Sequence, residues 1–149
     1  MKFKLLIKRV KALNMNEFVN HHDSSLQLII EKEFPDKRCV GGKYSAEEHT
    51  ITLYNRDIEI QCERVLGSLE RLEEYTWIIF THELGHALDP NLAMLSEELS
   101  YTKNPDILYQ IEVNAWNIAE ELIPFIDQDL FFLIRNESLV YCTNRLLVS

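Results

Sequence analysis

Ile79-Phe80-Thr81-His82-Glu83-Leu84-Gly85-His86-Ala87-Leu88 sets two histidines and a glutamate inside an otherwise apolar run. Residues 69–88 around it have helical periodicity. Trp77, Phe80, Leu84 and Leu88 form one stripe, and Tyr75, Ile78 and Ile79 lie on another side. A helix apolar around its circumference belongs in the centre of a fold, and Pro90 stops this one. Burying His82, Glu83 and His86 there is costly unless a ligand satisfies them. Gly85 adds to the pattern: glycine inside a helix costs about 1 kcal/mol relative to alanine, which predicts close approach of another backbone.

Downstream, residues 105–123 read as a second strong helix, with Asn104 as N-cap, Pro105 in the first turn and Pro124 at the end. Its inward stripe is Leu108, Ile111, Ala115, Ala119 and Leu122, with Glu112 beside it. Residues 126–134 predict a further apolar helix, and 139–148 carry only a weak pattern. Upstream, the segments 39–44 and 50–54 are rich in β-branched and aromatic residues, and the polar residues between them predict a β-hairpin. Residues 58–62 fit a strand or the start of a helix. Residues 15–34 read as helical in two pieces broken near 20–23, with Leu26, Ile29 and Ile30 inward. Residues 1–13 fit either strand or helix. Strands early and helices late imply an α+β fold, with helices on one face of a small antiparallel sheet. With no repeat or linker, residues 1–149 read as one domain.

His82-Glu83-Leu84-Gly85-His86 matches the H-E-x-x-H pattern. On a helix, residues four apart lie on one face with Cβ atoms about 5–6 Å apart. Two imidazoles so placed can point a nitrogen each at one metal ion, at roughly 2.0–2.1 Å. Glu83, one step round the helix, is too offset to be the natural third ligand. It can accept the proton of a water whose pKa the metal lowers toward about 7. A chance match in a chain this short is expected in well under about 1% of cases, so coincidence is set aside. Catalytic zinc takes three protein ligands and keeps one open position. Glu112 is the first candidate for the third, with Asp89, Glu97 and Glu98 as rivals. His21, His22 and His49 lie upstream without motif-like context. For oxyanion stabilisation Tyr101, Tyr109, Tyr141 and His49 are available.

Composition limits the partners. The net charge of −9 argues against a nucleic-acid surface, which needs clustered Lys and Arg. The one basic cluster, Lys2, Lys4, Lys8, Arg9 and Lys11, reads as a solvated face. Cys39, Cys62 and Cys142 are odd in number and widely spaced, as expected of free thiols in a reducing compartment. No segment reads as a secretory signal or reaches membrane-spanning length, so the expectation is a soluble cytoplasmic protein.

The chain also resembles the phage-immunity-type metallopeptidases (the ImmA/IrrE family), among the minimal gluzincin-like zinc peptidases, over residues 40–124. Residues 79–88 are very close to that family's zinc-binding helix. Gly42-Lys43-Tyr44 with Thr50-Ile51-Thr52-Leu53 resembles its strand pair. Glu112-Val113-Asn114-Ala115 with Ile118-Ala119-Glu120-Glu121-Leu122-Ile123-Pro124 is similar to its glutamate-bearing helix. The resemblance implies a zinc endopeptidase with a sheet packed on these two helices. His82, His86 and Glu112 become metal ligands, Glu83 the general base, and a protein such as a transcriptional repressor the substrate. One departure stands out: Trp116 occupies the position where the family usually has Asp or Asn. If that polar residue orients a metal-binding histidine, Asn117 or Asp89 must replace it here. Trp116 also motivates the alternative of a zinc-binding regulatory module that does not cut. A last expectation is that Thr50–Tyr54 forms the sheet edge and receives substrate as an added strand.

Overall fold

The computed structural model describes residues 14–148. The basic cluster and the reading of residues 1–13 lie outside the described residues. The elements in order are α1 (Met15–His22), β1 (Gln27–Glu31), β2 (Gly42–Ser45), β3 (Thr50–Tyr54), α2 (Asn55–Leu66), α3 (Leu72–Leu88), α4 (Leu92–Thr102), α5 (Pro105–Leu122) and α6 (Gln128–Val148). The described fold is α+β: six helices and one three-stranded sheet.

The predicted hairpin forms, with β2 antiparallel to β3 and Tyr44 opposite Ile51. The sheet is mixed, however, not antiparallel, because β1 pairs with β3 in parallel. The strand order is β1-β3-β2. After β1 the chain crosses to the far side, makes β2 and returns between the two as β3. Thr50–Tyr54 is therefore the central strand, paired on both sides and buried at all five positions. The expectation that it forms the substrate-receiving edge is overturned. The outer strands of the sheet are β1 and β2.

β1 corrects a second reading. Residues 15–34 are not two helical pieces: helix α1 ends at His22, and Asp23 turns the chain by accepting the Ser25 backbone N–H at 2.9 Å. Leu26 is buried as expected, but Ile29 and Ile30 on the outer strand are 40% and 50% exposed. Their β-branched side chains favour the extended backbone that pairing with β3 offers.

Residues 58–62 fall in α2, where Ile58 and Cys62, one helical turn apart, both pack into the core. The buried Asp57 in its first turn accepts the Val40 backbone N–H at 2.9 Å, which ties the segment entering β2 to this helix. Helix α3 is the centre of the molecule, packed against α2, β2 and β3, and against α5 and α6. Its near-uniform burial, Tyr75 and Trp77 through His86, matches its apolar circumference. Helix α5 starts as predicted, the Asn104 side chain accepting the Asp106 N–H at 2.9 Å. The tail is one continuous helix, α6, whose Leu130, Phe131 and Ile134 enter the core. Helix α4 has no counterpart in the sequence reading, and none of its residues is buried.

Candidate metal centre

Helices α3 and α5 pack against each other and meet where their side chains are smallest, at Gly85 and Ala115. A Cβ built on Gly85 would overlap the carbonyl oxygen of Ala115 and lie 3.0 Å from its carbonyl carbon. Carbon–carbon contacts settle at about 3.5–4.0 Å, so only glycine fits. The close approach predicted from a mid-helix glycine is realised, and it carries Glu112, three residues before Ala115, up to the histidines.

Glu112 Oε2 lies 2.9 Å from His82 Nε2 and 3.4 Å from His86 Nε2. All three donor atoms fall within 4.8 Å of one another. Four ligands at about 2.0–2.2 Å in a tetrahedron stand roughly 3.3–3.6 Å apart, so small side-chain adjustments bring this group onto one ion. Two imidazoles and a carboxylate are also a donor set suited to zinc with one position left open. His82 and His86 are each 9% exposed, which leaves one side accessible. Burial opposes a charge on His82, but the Glu83 and Glu112 carboxylates outweigh it and hold its pKa up at about 10. Burial likewise opposes ionisation of Glu112, and the hydrogen bonds and charges of His82 and His86 override it, pushing its pKa down.

Glu83 is nearly buried, between His82 and the sheet. Its Oε2 is 3.2 Å from His82 Nδ1, the ring nitrogen on the other side from Glu112. A Cβ on Gly42 would come within 3.0 Å of Glu83 Cγ, so β2 lies directly on the glutamate. The ladder alternation gives this contact meaning. Gly41 accepts the Tyr54 N–H at 2.9 Å, so Gly41, Lys43 and Ser45 face β3. The N–H and C=O groups of Gly42 and Tyr44 face the open edge, beside Glu83. A cleft of about 470 Å³ runs along Cys39, Tyr75, Ile79 and Ile134, with Ile79 one helical turn before Glu83.

The rival ligands fall elsewhere. Asp89 caps α3, where Oδ1 accepts the Asn91 N–H at 2.9 Å while Oδ2 is buried without a partner among the described residues. Glu97 and Glu98 are exposed on α4, and Asn117 is exposed on α5. His49 is held between Tyr44 Oη and Asp23 Oδ2, each at 2.9 Å. Tyr101 is 81% exposed, and Tyr141 lines the cleft. Sequence reasoning missed the role of the Trp116 ring, which stacks on His82 with centroids 4.3 Å apart and planes 11° from parallel. Its position four residues after Glu112 was the available signal, since residues i and i+4 share a helix face. Compared with family models, curated proteins and solved structures, the chain finds no match.

Proposed function

We propose that this chain is a zinc-dependent endopeptidase of the gluzincin-like, ImmA/IrrE type, in which His82, His86 and Glu112 hold the metal and Glu83 is the general base. The single observation that carries the reading is the convergence of those three donors beside a nearly buried glutamate. The packing of a small sheet and of α5 on the same helix, α3, supports the minigluzincin-like arrangement. Bound zinc supplies a Lewis acid that acidifies water and polarises a carbonyl oxygen.

The remaining steps belong to the chain. The open edge at Gly42 and Tyr44 receives an extended peptide by backbone hydrogen bonding. The neighbouring cleft takes one of its side chains. Glu83 leaves His82 Nδ1 by rotation of its own side chain, accepts the proton of the attacking water and returns it to the leaving amine. A polypeptide substrate, such as a repressor, fits an edge that reads backbone. The second reading, a zinc-holding regulatory module that does not cut, draws on the contact between Glu83 and His82 Nδ1, which occupies the base.

Glu83→Gln separates the two. Zinc content and thermal stability should stay near wild type while cleavage of unfolded casein or of a helix-turn-helix repressor is lost. Wild-type protein that cuts neither substrate, and behaves identically to Glu83→Gln, favours the module.

A further inference from the structure

We propose that Trp116 is a positioning residue for the metal centre: its indole face, stacked on the His82 imidazole, sets the orientation in which His82 presents Nε2. The inference rests on reading His82, His86 and Glu112 as a metal site and adds a component to it. Ligating histidines are usually oriented by a carboxylate, carbonyl or water on their second nitrogen. Here the carboxylate on the second nitrogen is Glu83, at 3.2 Å, the group that leaves it to act as base, and Trp116 adds a constraint that stays in place. Trp116 is fully buried and nearly parallel to the ring it covers, at 4.3 Å. Its own Nε1 has no hydrogen-bond partner among the described residues, so it acts through its π face and its volume. Phe131 of α6 meets the indole edge-on at 5.6 Å, which keeps the indole from tilting.

The stack does chemical as well as steric work. An imidazole with a cation on Nε2 is electron-poor, and an electron-rich indole face attracts such a ring. Stacking also leaves Nδ1 of His82 free to meet Glu83, at 3.2 Å. The same side chain thus holds the ligand from its face, while Glu112 and Glu83 address its two nitrogens.

The test uses zinc affinity by competition with a chromophoric chelator, alongside thermal melting, for Trp116→Leu and Trp116→Phe. Leucine keeps an apolar filling and loses the face; its zinc affinity should fall about tenfold, in the range typical of groups that orient metal ligands. Phenylalanine keeps a face and should recover most of that loss. Because either variant can fail to fold, a second measurement uses Trp77→Phe, which leaves Trp116 as the sole indole. Cobalt(II) uptake, followed by its visible absorption, should then quench the remaining fluorescence in a one-to-one titration. Trp116→Leu with wild-type zinc affinity, or cobalt bound without quenching, overturns the role. Wild-type protein that takes up neither metal removes the site itself, a result distinguishable from both.

Discussion

Gly85→Ala adds one methyl group at the point where the two site helices touch. On an isolated helix the change is favourable by about 1 kcal/mol, because alanine is the better helix former. Here the methyl would overlap the Ala115 carbonyl and sit 3.0 and 3.1 Å from its carbonyl carbon and Cα. Those atoms are main chain and cannot rotate away. The helices must part by roughly 1 Å to restore ordinary contact distances. Overpacking costs about 1–3 kcal/mol, and a main-chain overlap belongs at the upper end. Subtracting the propensity gain leaves a destabilisation of about 2 kcal/mol, a fall in Tm of roughly 4–8 °C for a chain this size. The same separation draws Glu112 away from His82 and His86, so zinc affinity should drop at least about tenfold. Differential scanning calorimetry and chelator competition read the two effects on one preparation. A variant as stable as wild type or more so, with unchanged zinc affinity, would refute the close approach and the geometry built on it.

Glu112→Ala should weaken zinc binding steeply, while Asp89→Ala, Glu97→Ala and Glu98→Ala do much less; equal losses at Asp89 and Glu112 would contradict the ligand assignment. Zinc binding at pH 7 should release about one proton, because His82 is held protonated and must give up Nε2 to the metal; calorimetric titration in buffers of different ionisation enthalpy measures it, and a release of none counts against the pairing. In zinc-free protein the raised His82 pKa contributes stability that is fully present below pH 6.5 and lost as pH climbs through about 10. The lowered Glu112 pKa contributes stability present above pH 4.5 and lost as pH falls. Glu112→Gln should abolish the acid slope and only reduce the alkaline one in denaturant melts, because the Glu83 carboxylate still raises the His82 pKa.

Much of the fold is written in local pattern. Asn104, Pro105 and Pro124 bound α5 because capping and ring closure act within a few residues. The central place of α3 follows from its apolar circumference, and a glycine in such a helix pointed to a neighbouring backbone. Leu26, Ile29 and Ile30 fit helical spacing, yet residues 27–31 form a strand because β3 offers its ladder. Helix α4 carries only a short stripe, Leu92, Leu95 and Leu99, which is half-buried at most and too brief to stand out from the exposed residues around it.

By itself the sequence determined that His82, Glu83 and His86 share one buried helix, since their spacing and the helical repeat leave no freedom once the helix forms. It marked Glu112 as an inward carboxylate but could not choose among Glu112, Asp89, Glu97 and Glu98 without the family resemblance. Only the tertiary structure brought Glu112 to 2.9 and 3.4 Å from the two imidazoles, because the distance between two helices depends on Gly85 meeting Ala115, a contact between residues 30 positions apart. Only it, too, placed β3 inside the sheet, put β1 and β2 at its edges and laid Trp116 on His82. Strand partners and ring stacking are relations between distant segments, and a one-dimensional pattern holds each segment's preferences without the partner that satisfies them.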